Sequence, residues 1–500
     1  MENEVTLKEM KEVEPFQSIT DNTQVLGYDG TANKYGLISV GKINQTQWCG
    51  CRWRKDSLTT VGEPCGSLPK IERMAELFGL GGYLVRNDHS RRKLSASNHN
   101  QFADGGTAQL DGSMGHYQWG SGVTIYYAFW EDETYQYEAV DTKPIPGQLN
   151  YKIPIFSRSC AGYATIDRTN NILVSYINSA AQYRGGNNDS AKDSLFNSQL
   201  GMPATNIAVP TAASYARKNG TLWFANERVA FAITAILKRI YFHNRSIQAA
   251  YNATLTADGL HQGGTGDGCS QPSSWSDDWA YYPFIPLSAG VANGDMTGTF
   301  SVNINDNGTT RAITGIPSFL GLKNDYKYLG CIEEDTLLVC NSDKSQGVYI
   351  ENNIDGHTFD VSTVNGKMFV GTTPPKDAAG WIGIKKLNLS NLCNFPLEVG
   401  TTGTTGYGDS YYNPAATSGL RGAFRLGHAD SGDHAGSVSL HGSPAPSVAF
   451  ALYGVALCEF KEAFSTEPSL AAYEIGLSEE TKDTGRGSAP PLRQGAERFF

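Results

Sequence analysis

Three histidines, His428, His434 and His441, stand six and seven residues apart, with Asp430 and Asp433 between them. Imidazoles beside carboxylates can hold a metal ion, move protons or hydrogen-bond a polar ligand. This spacing fits no standard metal-ligand pattern, and the chain has no H-E-x-x-H, G-x-S-x-G or phosphate-loop motif. The stretch 263–268 mimics a phosphate loop but lacks its Gly-Lys-Ser/Thr end, so it reads as a flexible loop. Nine cysteines argue against a complete disulfide framework. Cys49 and Cys51 form a lone C-x-C, for which buried free thiols are expected. The run Asp88, His89, Arg91 and Arg92 is read as a salt-bridged loop in preference to a site. No catalytic residue, metal site or cofactor is assigned.

The elements that must position these residues are read from periodicity. A helix is expected over 227–242, with Val229, Ile233, Ile236, Leu237 and Ile240 on one face and Asn226 as N-cap. A second is expected after Ser67, carrying Ile71, Met74, Leu77 and Phe78 and stopping at Gly79. Asp29-Gly30 between two short apolar runs is a hairpin signal. Short strands are expected at 123–130, 153–156, 172–177, 299–304, 336–339, 348–350 and 367–370, with a closing strand at 449–460. Few helices, short strands and long Gly/Ser/Asn loops give an α+β fold that presents loops. Four parts follow: a virion-attachment or oligomerisation segment 1–45, an aromatic-rich domain 46–150, a ligand-binding domain 151–465 and a polar tail 466–500.

Composition narrows the function. The 500 residues carry a net charge of −10 and only 18% charged residues, against about 25% in a typical chain. A basic nucleic-acid surface is therefore excluded as the main function. A content of 40% hydrophobic and 11% aromatic residues excludes disorder of the whole. The longest apolar runs are shorter than the roughly 18 residues of a membrane span, so no membrane insertion is expected. MENEVTLKEM has no apolar export region, which predicts synthesis in a cytoplasm. The 55 glycines and 25 tyrosines suit a binding surface better than a catalytic barrel.

The window 421–458 contains no Lys, Glu, Gln, Met or Trp, although these types make up 75 of the 500 residues. About six would be expected there. Codons ending in C or T, randomised at their first two bases, cannot encode those five types. They can encode the Asp, His, Ser, Phe, Tyr, Val, Leu, Gly, Ala and Arg that are present. Small residues also recur through the window, among them Gly422, Gly427, Ala429, Gly432, Ala435, Gly436, Ala445, Ala449 and Gly454. Between them stand His428, Asp430, Ser431, Asp433, His434, Ser439, His441, Ser443, Val448, Phe450 and Leu452. These eleven are the candidate ligand-binding residues. Phe450 and Tyr453 are candidate anchors, although Tyr453 belongs to the apparently constant frame. The plainer reading is a surface loop of small residues beside a buried strand.

On these residues a family resemblance rests. The motifs are Arg421-Gly422, Leu426-Gly427, Gly432, Ala435-Gly436, Leu440, Ala445-Pro446-Ser447 and Tyr453-Gly454-Val455-Ala456-Leu457. The chain resembles the variable proteins of diversity-generating retroelements, which include phage receptor-binding proteins built on a C-type lectin fold. That fold is shared with formylglycine-generating-enzyme-like domains. The segment 315–324 resembles the family's central G-x-E-N stretch, with Lys323 where Glu is usual. The N-terminal pattern is similar to virion-attachment segments of fibres from phages of gut Bacteroidales. The resemblance implies a C-type lectin-like C-terminal domain and a fibre exposed on the virion. It further implies a homotrimer, contacts to other virion proteins through the N-terminus, and a host cell-surface receptor, glycan or protein, as ligand.

The rivals are a structural head or tail decoration protein and a formylglycine-generating-like enzyme. The enzyme would need a cysteine pair near the C-terminus, where only Cys393 and Cys458 stand. Calcium-dependent sugar binding lacks its E-P-N, Q-P-D and W-N-D motifs, with Ser276-Asp277-Asp278 only a weak echo.

Overall fold

A computed structural model describes residues 24–29, 34–39, 48–57, 59–186, 188–194, 198–257, 260–261, 283–306, 308–326, 328–400, 406–429 and 431–470. Residues 1–23 of the attachment segment, the loop 263–268, Ser276-Asp277-Asp278, Asp430 and residues 471–500 of the tail lie outside that set.

The apolar period centred on Val229 and Ile233 forms the helix Arg228–Phe242. Thirteen of its fifteen residues are buried, so it is a core helix instead of a surface one. Its N-cap is Glu227, whose carboxylate accepts the Ala230 N–H at 3.0 Å. Asn226 lies one residue earlier at a φ of 56°, and its side chain ties Ala456 N–H to the Ile332 carbonyl. Burying charge on such a helix requires a partner. Arg239 pairs with Glu138 at 2.6 Å, Lys238 with Asp325 at 2.5 Å and Arg228 with Asp335 at 3.1 Å. The helix expected after Ser67 forms as two short pieces, Leu68–Glu72 and Met74–Phe78, broken at Arg73 and closed by Gly79 in the left-handed region. No described helix is long and apolar enough to cross a membrane.

The helices are the minority, and this corrects the α+β expectation. Strands make up 40% and helix 13%, in several sheets, one of them a near-barrel. The fold is β-rich, and the lectin-like α+β arrangement expected for 151–465 is corrected with it. The six-stranded sheet runs Ser469–Leu470, Leu149–Ile153, Ile125–Glu131, Tyr135–Asp141, Cys49–Arg54, Glu63–Gly66. The seven-stranded sheet runs Trp223–Ala225, Leu457–Phe460, Phe156–Ser159, His116–Gly120, Gly81–Val85, Arg91–Ser95, Asn98–Phe102. A division at 150 would cut the strand Leu149–Ile153, and strands from both sides of it share each of these sheets. The start of the tail adds Ser469–Leu470 to a sheet edge. The hairpin read at Asp29-Gly30 forms from Gln24–Asp29 and Lys34–Ser39, in register from Gln24↔Ser39 to Asp29↔Lys34.

The largest sheet positions the window 421–458. Its order is Met368–Thr372, Gln346–Ile350, Gly330–Cys340, Leu420–Arg425, Leu440–His441, Ser410–Asn413, Gly380–Asn388, Phe395–Gly400, with Tyr453–Gly454 parallel to Gly330-Cys331. Its outer strands approach each other. The Asn388 amide donates to the Val370 carbonyl at 3.1 Å, and Gly371 lies against the Phe395 ring. Leu338, Val348, Ile384, Tyr411, Ala423 and Leu440 fill the interior of this nearly closed sheet. The closing strand expected over 449–460 is shorter than that, being Tyr453–Gly454 and Leu457–Phe460.

Candidate functional site

Side chains alternate between the two faces of a strand. In the large sheet Tyr411, Leu440 and Ala423 point into the barrel core. Their neighbours Tyr412, His441 and Phe424 therefore point outward, and register sets them side by side. Trp381 pairs with Tyr412, Tyr412 with His441 and His441 with Phe424. The result is a ladder of rings across four strands. Trp381 meets Tyr412 edge-on at 5.4 Å, and Tyr412 meets His441 at 4.4 Å. Tyr453 lies 4.6 Å from Phe424, and its hydroxyl bonds His441 Nδ1 at 2.8 Å. Burial lowers the His441 pKa to about 3, so the ring is neutral.

Two loops frame the ladder. The first leaves the sheet at Leu426 and Gly427, both at positive φ, and returns at Leu440. It brings His434 onto the Trp381 ring at 5.1 Å and 15°, and His428 to within 6.1 Å of Tyr453. The second loop, 442–452, brings Phe450 to 6.0 Å from Tyr453 and leaves it 41% exposed. Four of the eleven candidate residues thus converge: His428, His434, His441 and Phe450, while Leu452 packs half-buried against the core that holds Phe424 and Tyr453. Val448 and Ser443 stand half-buried on the second loop. Asp433 accepts from the Thr256 hydroxyl at 3.1 Å, beside His434.

Ser431 and Ser439, also among the candidates, are buried, and their hydroxyls support the loop. Ser439 donates to the His434 carbonyl at 2.6 Å, and Ser431 accepts the His428 N–H at 3.0 Å. Short hydroxyls inside a loop bond their own backbone in preference to solvent. Trp381 and Tyr412 lie outside the window, and sequence reading missed them. The signal that brings them in is strand register across 31 and 29 residues, which a single chain does not display. Beside the second loop runs a groove of about 560 Å³, lined by Thr358, Val361, Leu420, Pro446, Ser447 and Pro210.

The backbone of both loops is held by main-chain groups. In the second loop Pro444, Pro446, Phe450 and Leu452 accept through their carbonyls from Gly422, Val209, Asn206 and Gly330. In the first, Ala429 N–H donates to Tyr328, Gly436 N–H to Leu426, and Val438 N–H to the Asp409 carboxylate at 2.9 Å. Such bonds do not depend on which side chain each position carries.

Asp409 is fully buried beneath the first loop, and desolvation raises its pKa from 3.8 to about 7 against the opposing pull of Val438 and Gln248. A raised carboxyl favours folding below its unfolded value, and that contribution is lost as pH rises to the folded value. Thermal stability is therefore expected to fall between about pH 4 and pH 7 on account of this group. Asp409→Asn should flatten that part of a Tm-against-pH curve. An unchanged slope in the variant would remove Asp409 as the cause.

Other clusters that could do chemistry are closed to solvent. Asp295, Tyr117 and Cys160 all meet His99, at 2.8, 2.6 and 3.9 Å. Cys160 is fully buried, and burial pushes its thiol up to about 11, so the nucleophilic form is disfavoured. Cys393 and Cys458 are buried with thiols pushed up to about 12. The eight described cysteines are free, and no described cluster of three or more His, Cys, Asp or Glu could hold a metal. The run at Asp88 is ion-paired as expected: His89 and Arg91 share Glu459 at 2.9 and 2.6 Å, and Arg92 meets Asp104 at 2.7 Å.

No protein-family model matches the chain, and no curated protein matches it.

Proposed function

We propose that this chain is a receptor-binding protein of a phage virion, whose ring ladder and two framing loops bind a host cell-surface receptor, glycan or protein. One observation carries the reading: in 421–458 main-chain groups, together with the hydroxyls of Ser431 and Ser439, hold the backbone, while the side chains of His428, His434, Val448 and Phe450 stand at or near the surface. Such a face can change its contacts without refolding. The absence of Lys, Glu, Gln, Met and Trp from the window fits codon randomisation at a fixed frame. The resemblance to variable proteins of diversity-generating retroelements supports the same reading. Trp381 and Tyr412, half-buried, supply rigid aromatic area, which dominates many interfaces at low entropic cost. The N-terminal segment with its hairpin attaches the protein to other virion proteins, and a homotrimer multiplies weak contacts by avidity.

Replacing His428, Val448 and Phe450 together by alanine tests the reading. Binding of the full chain to host cells should weaken about tenfold or more. Unfolding should shift little, since surface positions typically cost under about 0.5 kcal/mol each. Undiminished binding sinks the proposal, and so does a collapse in melting temperature. Diversification has its own test: a DNA repeat near the gene should match codons 421–458 except at adenines.

A further inference from the structure

A second cleft, of about 420 Å³, lies away from the ladder and is lined by Asn87, Asp111, Asp167, Tyr176, Tyr183 and Asn219. Its volume falls in the range of about 300–1,000 Å³ typical of small-molecule sites. It sits beyond the C-terminal end of the helix Val209–Arg217, whose first residue bonds Pro446 of the window. That helix spans about 13 Å, so the two sites are separate.

The cleft is built on a fixed ring. Tyr176 stacks on His116 at 4.8 Å and 27°, and Gly112 closes its other side at a φ of 101°. A Cβ at Gly112 would come within 2.6 Å of that ring. Tyr183 meets Tyr176 edge-on at 5.7 Å. Among the described residues neither tyrosine hydroxyl has a hydrogen-bond partner. His116 is fully buried, and burial lowers its pKa to about 3. Its Nδ1 accepts the Ser175 N–H at 3.3 Å, so its proton is on Nε2 and goes to Asn87 Oδ1 at 3.0 Å. Asn87 is thereby oriented with its NH₂ group left for a ligand.

Asn219 is only 5% exposed, and its NH₂ group is spent on the Leu173 and Ala216 carbonyls at 2.7 and 3.1 Å. Its Oδ1 has no partner among the described residues and is the group it presents to the cleft. Asp111 uses Oδ1 on Ser113, at 3.0 Å to N–H and 2.6 Å to the hydroxyl, which leaves Oδ2. Asp167 is committed to Thr169 and Asn170 at 2.8–3.1 Å.

We infer that this cleft binds an uncharged saccharide. It offers neutral donors and acceptors in mixture, one carboxylate oxygen and two tyrosines. Vicinal hydroxyls pair with such groups, and the C–H face of a pyranose can pack on the Tyr183 ring, since His116 and Gly112 already cover the two faces of Tyr176. No Lys or Arg lines the cleft, and its two carboxylates repel an anion such as a sialic acid or a phosphate. The inference does not rest on the receptor reading of the ladder.

The test is saturation-transfer NMR on the full chain with methyl glycosides of glucose, galactose, mannose and N-acetylglucosamine, and with N-acetylneuraminic acid as the anionic control. At least one neutral glycoside should receive saturation while the acid does not. The double variant Tyr176→Phe, Tyr183→Phe keeps both rings packed and removes two hydroxyls, and binding should weaken about tenfold. Phe450→Ala should leave this binding unchanged, which separates the site from the ladder. No transfer to any neutral glycoside overturns the inference. Equal transfer to the acid, insensitivity to the double variant, or loss of binding on chelation of divalent cations overturns it as well.

Discussion

Glu138→Leu is expected to cost about 3–5 kcal/mol of unfolding free energy, because it strands the Arg239 guanidinium in the core. The two groups are fully buried and joined twice, Arg239 Nε to Oε1 at 3.0 Å and Nη2 to Oε2 at 2.6 Å. Tyr127 adds a hydroxyl bond to the same carboxylate at 3.2 Å. Glu138 belongs to the six-stranded sheet and Arg239 to the central helix, so this pair clips one onto the other. Domains are commonly stable by only about 5–15 kcal/mol, so the single loss removes a large fraction. Glu138→Leu combined with Arg239→Met should recover most of it, since a buried pair replaced by apolar groups is often neutral. Urea unfolding of the single and double variants reads the difference. If both lose stability equally, the damage comes from packing and not from the uncompensated charge.

The second large effect is expected at Gly436. A Cβ there would stand 1.5 Å from Asp409 Oδ1 and 1.8 Å from Gln248 Nε2, both buried beneath the first loop. Gly436→Ala must push both of them aside, and overpacking of this kind costs about 1–3 kcal/mol or more. The loop carrying His428 and His434 should lose its fixed course, so host binding should fall together with the melting temperature. Ala449→Ser, at an exposed small position in the same window, should change neither. The contrast separates frame positions that the backbone requires from small residues that are merely tolerated. A Gly436→Ala protein with unaltered melting temperature would falsify the steric account of the frame.

These two variants also mark what could be read in advance. The helix at Val229 was legible because its apolar period of 3.6 extends over four turns, and the hairpin at Asp29-Gly30 because turn chemistry is local. The helix's cap was misplaced by one residue, since Asn226 is drawn off by partners more than 100 residues away. The α+β expectation failed for a related reason. Segments such as Gly380–Asn388 (GWIGIKKLN) and Ser410–Asn413 (SYYN) carry glycine, lysine or asparagine and give little strand signal. Their stability comes from cross-strand neighbours distant in the chain. Buried charges were equally opaque: Lys238 and Arg239 look solvated in sequence, and only Asp325 and Glu138 make them core residues.

Within the site, the make-up of the two loops is a property of the amino-acid sequence by itself. The interleaving of small residues with His428, His434, His441 and Phe450, and the missing amino-acid types, are properties of residues 421–458 by themselves. The tertiary structure decided which of those side chains meet. It sent Ser431 and Ser439 inward, where their hydroxyls hold the loop, and it recruited Trp381 and Tyr412 from outside. The physical reason is register. Side chains alternate along each strand, and hydrogen bonding between strands aligns residues with no relation in sequence. A face built across four strands is therefore decided by pairing, whereas the composition of one loop is written in the chain.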